Sequence, residues 1–136
     1  MESIVLKNPG ELIRIRKDHP GKPDSGEVLL KVKRLGVCGT DLHAYNAKQP
    51  FFTYPRILGH EIAAEVIELG EGVSHLKIGD YCTIMPYRNT IIDQAVKRGK
   101  TNCGSGLSVF GVHEDGAMQE FFIYNADLVF QANGLS

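Results

Sequence analysis

The sequence has little of what would mark a specialised class. It holds three cysteines in 136 residues, Cys38, Cys82 and Cys103. So sparse and odd a set excludes a disulfide framework as the source of stability. The formal net charge is −1, so nothing points to nucleic acid or to an anionic membrane as a partner. No apolar run approaches the roughly 20 residues that span a bilayer, and no secretory leader is recognisable. Internal repeats, low-complexity tracts and linkers are lacking too. These absences lead to the expectation of a cytoplasmic protein whose thiols stay reduced and free for metal binding or chemistry. Hydrophobic residues at 43% and charged residues at 23% fit an ordinary globular domain with one core, here residues 1–136.

Strand patterns dominate what is present. SIVLKN, ELIRIRKDH and EVLLKVKRLGVC are short runs rich in Val, Ile and Leu. In the last, Val28, Leu30 and Val32 alternate with Leu29, Lys31 and Lys33, after a turn from Pro23 to Gly26. IAAEVIELG, YCTIMPY, QEFFIYN and LVF read as further strands, and GEGVSHLKIGD as a loop ending in a turn. Six or seven short strands between Gly, Pro and Asp turns predict a mainly β protein, a closed or partly closed barrel. Two short helices are expected. Thr40 or Asp41 caps one through LHAYNA. The other, TIIDQAVKRG, puts Ile91, Ile92, Ala95 and Val96 on one face and stops at Gly99.

The segment GVCGTDLHAY, residues 36–45, concentrates chemistry: a thiol, a hydroxyl, a carboxylate and an imidazole on Cys38, Thr40, Asp41 and His43. Cys38 is a soft ligand and His60, in RILGHE, a borderline one, and both suit zinc. They lie too far apart in sequence for a zinc-finger knuckle. A catalytic zinc needs about three protein ligands and an open position, and Glu61 could supply an oxygen. Asp41 could accept a hydrogen bond from the free ring nitrogen of a metal-bound His60, fixing its tautomer. Thr40, two residues from Cys38, could reach a metal-bound substrate, and His43, one helical turn further, could carry a proton onward. Cys82 in a strand pattern and Cys103 in a turn read as structural. His19, His75 and His113 lie in polar loops and carry no assignment. Tyr45, Phe51, Phe52 and Phe110 are candidates for a substrate pocket, although aromatics in a barrel are more often core.

In order and spacing, GVCGTDLHAY, YPRILGHEIAAEVIELGEGV, KIGDYCTIMPY and GVHEDGAMQEFF closely resemble the N-terminal half of zinc-dependent medium-chain alcohol and polyol dehydrogenases. The resemblance covers essentially the whole chain. It implies a GroES-like catalytic barrel followed, in the family, by a Rossmann domain for NAD or NADP. By matching motif, Cys38 and His60 would be catalytic zinc ligands, with Glu61 the neighbouring carboxylate that enters or leaves the zinc sphere. Thr40 would take the substrate proton, His43 would relay it, and Asp41 would hold His60. The implied substrates are polyols, sugar acids or threonine-type alcohols, and the implied complete protein is a homo-oligomer.

Two departures from the family stand out. Many relatives carry four cysteines spaced C-x2-C-x2-C-x7-C that bind a structural zinc. Here those positions fall at Thr90, Asp93, Val96 and Gly104, so that zinc is expected to be absent. The apolar face of TIIDQAVKRG is expected to hold the lobe by burial instead, at roughly 1.5–3 kcal/mol for each buried Ile. The second departure is that no G-x-G-x-x-G fingerprint occurs; GSGLSVFG is the nearest glycine cluster and does not fit. The Rossmann domain and the family's third zinc ligand are expected to lie outside the chain, which reads as a fragment ending at NGLS, inactive alone and with an incomplete zinc site. Two competing readings are a stand-alone GroES-like binding module without catalysis and a zinc-free reductase of the same superfamily. The intact set Cys38, Thr40, His43, His60 and Glu61 argues against both.

Overall fold

The computed structural model describes residues 1–50 and 52–134. Phe51, one of the pocket candidates, and the final Leu135 and Ser136 lie outside them. Strands are β1 (Glu2–Asn8), β2 (Glu11–Arg16), β3 (Glu27–Gly36), β4 (Arg56–Ile57), β5 (Glu61–Leu69), β6 (Tyr81–Ile84), β7 (Tyr87–Asn89), β8 (Leu107–Val109), β9 (Phe121–Asn125) and β10 (Val129–Gln131). Helices are α1 (Gly39–Tyr45) and α2 (Gln94–Lys97). The expectation of a mainly β chain with short helices holds. No helix among the described residues is long and apolar enough to cross a membrane.

The strands form three antiparallel sheets in the orders β2-β1-β4, β10-β6-β5-β3-β9 and β7-β8. The segment 116–120 laces the first two together. Ile4 N–H donates to Met118 O and Glu120 N–H to Glu2 O, while Val32 N–H donates to Glu120 O. This segment covers strand edges that would otherwise leave backbone groups unpaired, partly closing the barrel.

Alternation along the strands sorts the side chains. In β5, Ile62, Ala64 and Val66 are buried while Glu61 and Ala63 face out; in β6, Cys82 and Ile84 are buried while Tyr81 and Thr83 face out. The inward residues join Val28, Leu30, Phe110, Phe122 and Tyr124 in the main core. Leu29, expected on the opposite face from Val28 and Leu30, is buried as well, at 2% exposure. A second core under α1 gathers Leu6, Ala44, Phe52, Leu58 and Val112. Burial of Ala44 fixes which face of α1 looks outward.

Two helix expectations need correction. The N-cap of α1 is Cys38 rather than Thr40 or Asp41, and Asp41 sits in the first turn. Its carboxylate accepts from Cys38 N–H at 3.0 Å, which favours an acid at this point of the helix. The second helix is only Gln94–Lys97. Ile91 and Ile92 precede it and are 54% and 69% exposed, so they do not bury the lobe. The reason is Asp93, which caps α2 and starts it too late to include them.

Asp93 also does the holding. Its carboxylate accepts from Val96 N–H at 3.0 Å and from Ser105 N–H at 2.7 Å, joining the two arms of the lobe. Thr90 donates to Gly106 O at 3.0 Å, Asn89 donates to Thr101 O at 3.0 Å, and Gly104 packs against Val96. Asp93, Val96 and Gly104 thus stand together, bridged by a carboxylate and backbone amides, with Thr90 held to the same arm through Gly106.

The Ser105 and Val96 amides hold the Asp93 carboxyl down to about 2. A folded value below the ordinary one means the contribution is complete above about pH 4 and is lost as pH falls through the folded value. Asp93→Ala is expected to speed amide hydrogen exchange at Val96 and Ser105 at least tenfold without changing Leu30 or Val66. In the unsubstituted chain the same two amides should lose protection selectively as pH drops from about 4 toward about 2.

Candidate metal centre

His60 owes its position to glycines. Gly59 has φ +94°, a left-handed conformation open to glycine, and a Cβ there would meet Leu35 Cδ1 at 2.5 Å. Behind it the backbone of Gly116 approaches so closely that an added Cβ would lie 2.4 Å from Gly59 O. Gly116 N–H donates to Ile57 O, Ala117 N–H to Gly59 O and Met118 N–H to Leu58 O, at 2.7–2.9 Å. Asp115 adds a bond from Ile57 N–H at 3.1 Å. The loop carrying His60 is therefore a pinned segment. On the other side, β3 ends at Gly36 opposite Glu61 and hands the chain to Cys38 and α1.

These supports bring Cys38 Sγ to 3.3 Å from His60 Nε2. One ligand-type atom from each of Cys38, Asp41 and His60 lies within 4.8 Å of the others. Asp41 is 3% exposed. Its Oδ1 and the Nδ1 of His60 are both buried without a hydrogen-bond partner. Unpaired buried polar atoms are costly; a cation held by Cys38 Sγ and His60 Nε2 could take Asp41 Oδ1 as a ligand, or Asp41 Oδ1 could accept from His60 Nδ1–H. Bonds of about 2.3 Å to sulfur and about 2.0 Å to nitrogen at a tetrahedral angle separate the two atoms by about 3.5 Å, close to the 3.3 Å observed. The donor set of thiolate, imidazole and carboxylate suits zinc.

The centre opens into a cleft of about 990 Å³ whose walls include Thr40, His43 and Glu61. Thr40 and His43, three residues apart and so neighbours on one face of α1, both line the cleft, beside the buried Asp41 and Ala44. All six residues singled out from the sequence are thus found at or beside one cleft. Two details differ. The tight cluster contains Asp41 in place of Glu61, which is exposed at the start of β5. Asp41 bonds Cys38 N–H, and no hydrogen bond joins it to the His60 ring.

The described aromatic pocket candidates, Tyr45, Phe52 and Phe110, are not among the residues lining the cleft. Phe52 and Phe110 are core residues, and Tyr45 lies on α1 away from the lining. Tyr87, Thr83 and Arg34 line it instead. Sequence reasoning passed over all three; the outward alternation of Thr83 in YCTI was the one available signal. Cys82 is buried, and desolvation with the nearby Asp80 charge pushes its thiol up to about 11, so it stays protonated and inert. Cys103 is exposed in the turn Thr101–Cys103.

Gly116→Ala is expected to push the 57–60 loop outward and weaken zinc binding at least tenfold, measured by competition with a chromophoric chelator. Unchanged affinity would mean that this backbone contact does not position His60.

Residues 24–134 match the family model described as the alcohol dehydrogenase GroES-like domain. The L-galactonate-5-dehydrogenase of Escherichia coli (strain K12) is 39% identical over 135 residues, covering 99% of this chain and 39% of that protein. The L-threonine 3-dehydrogenase of Pyrococcus horikoshii is 36% identical, covering 96% of this chain and 38% of that protein. The solved structure of a short chain alcohol dehydrogenase (rspB) from E. coli CFT073, complexed with NADH, superposes with a TM-score of 0.84 at 34% identity, over 96% of this chain and 38% of that one. The chain thus spans under two fifths of the length of these relatives. A family match across most of the sequence, and a fold shared over almost all of it, place the chain in the zinc-type medium-chain alcohol dehydrogenase family, as its N-terminal GroES-like domain.

Proposed function

We propose that the chain is the catalytic domain of a zinc- and NAD(P)-dependent dehydrogenase that oxidises a secondary alcohol of a polyol or sugar acid. The observation that carries this is the pairing of Cys38 Sγ with His60 Nε2 beside two unpartnered buried polar atoms, opening onto a cleft with Thr40 and His43. The relatives named for L-galactonate and L-threonine support an alcohol substrate, and the NADH complex supports a nicotinamide partner.

Cys38 and His60 would hold the zinc, with Asp41 or Glu61 as the carboxylate at hand. When bound, zinc supplies a Lewis acid that lowers the pKa of an alcohol oxygen, and the nicotinamide supplies the hydride acceptor. The remaining work belongs to side chains of this chain. Thr40 Oγ1 accepts the substrate hydroxyl proton and gives up its own toward the His43 ring, which is exposed and can release it to water. Asp41 keeps Cys38 and the start of α1 in place through the Cys38 N–H bond. Its second oxygen is the acceptor available to His60 Nδ1–H, an interaction that would fix the ring tautomer.

Zinc per chain, measured by elemental mass spectrometry on the complete dehydrogenase, is expected to be close to one and to fall close to zero in its Cys38→Ser variant. A variant that keeps its zinc, or a complete protein that takes none even when zinc is supplied, would sink the metal mechanism. In the complete dehydrogenase Thr40→Val is expected to lower kcat by about 10²–10⁴ with zinc content unchanged.

A further inference from the structure

The β3–β5 ladder contains an irregularity beside the metal centre. Val32 pairs with Ala64, but Arg34, not Lys33, pairs with Ala63. One extra residue on β3 inverts the alternation, as a β-bulge does when it re-aims a side chain near a site. In a regular ladder Lys33 would stand opposite Ala63, on the outward face that Glu61 and Thr83 share. The bulge puts Arg34 there, where it lines the cleft with Cys38, Thr40, His60 and Glu61.

The two neighbouring cations are then used differently. Lys33 Nζ bonds Glu65 Oε2 at 3.1 Å. Arg34 is exposed and donates through Nη1 to Lys33 O at 2.8 Å. Among the described residues no carboxylate pairs with it. It is the single Lys or Arg in the cleft lining. A guanidinium anchored at one nitrogen keeps a planar set of donors free, the geometry that grips an oxyanion by two parallel bonds. Ala63, opposite Arg34, lies three residues from His60, ~10 Å along an extended strand. A multi-carbon hydroxy acid and an arginine side chain can bridge that gap together.

We infer that Arg34 forms an oxyanion subsite of the cleft and that it takes the carboxylate of a polyhydroxy-acid substrate while the alcohol oxygen sits at the metal centre. The subsite selects sugar acids over neutral polyols. The inference rests on the metal-centre reading above and sharpens its substrate class. An oxyanion could also come from the phosphates of a dinucleotide, so the test separates the two sources.

The chain is loaded with zinc and followed by nuclear magnetic resonance, and the zinc response of Cys38 and His60 is read before any ligand is added. No zinc response would overturn the metal-centre reading, and this inference with it. With zinc bound, D-gluconate, D-sorbitol and inorganic pyrophosphate are titrated into the chain, Arg34→Gln and Arg34→Lys. The expected result is saturable gluconate binding seen at Arg34 and the cleft, at least tenfold weaker in Arg34→Gln and partly restored in Arg34→Lys. Sorbitol binding should be the same in all three. Equal gluconate binding in the chain and Arg34→Gln would overturn the subsite while leaving the metal centre standing. Pyrophosphate binding that depends on Arg34 when gluconate binding does not would also overturn it, by assigning the anion to the cofactor.

Discussion

The candidate metal centre depends on a contact between backbones. Gly59 and Gly116 approach so closely that a single methyl on either would collide with its surroundings. That closeness lets three consecutive amides, from Gly116 to Met118, bond the carbonyls of Ile57, Leu58 and Gly59. His60 is the next residue, so its ring inherits the rigidity of the ladder. Gly111 belongs to the same contact, its N–H bonding Glu114 O and its Cα packed against the loop. A side chain on such a support loses little entropy when it takes up a ligand, because the cost of ordering it was met on folding.

The opposite half of the centre is built from a helix start. Cys38 is where β3 gives way to α1, and Asp41 ties the turn by accepting from its N–H. Burial of Ala44 rotates the helix so that Thr40 and His43 face the cleft. The two halves meet with two polar atoms, Asp41 Oδ1 and His60 Nδ1, buried and unpaired. Among the described residues three more such atoms occur, on Ser3, Arg56 and Asn89. What sets this pair apart is its place beside the Cys38 thiol, where hydrogen bonding can be completed by a bound group.

The lobe around α2 reaches cohesion by another route. Where many relatives are expected to place thiolates, this chain has Asp93 joining Val96 and Ser105 through their amides. One ionised carboxylate accepting two backbone donors can link chain segments that lie far apart in sequence, as a metal would, without large apolar burial. That is why Ile91 and Ile92 can remain on the surface.

Much of this was legible in the residues. The spacing of GVCGTDLHAY and RILGHE named the thiol, imidazole, hydroxyl and carboxylates, and turn-separated alternating runs gave the barrel class, because side-chain chemistry and a period of two are written directly in the chain. Other features depend on through-space neighbours and had no linear signature. A bulge at Lys33 turns Arg34 into the cleft, since face assignment in a strand flips with one inserted residue. The helix over 91–99 shrank because Asp93 found amides to cap and bridge, overriding an apolar pattern. Phe52 and Phe110 went to the cores while Tyr87 reached the cleft, a division set by how the three sheets pack together. The sequence by itself determined which chemical groups are available and the class of fold that carries them. Only the tertiary structure decided which of those groups share a site, because long-range pairing between β3, β5 and the 116–118 segment sets their distances.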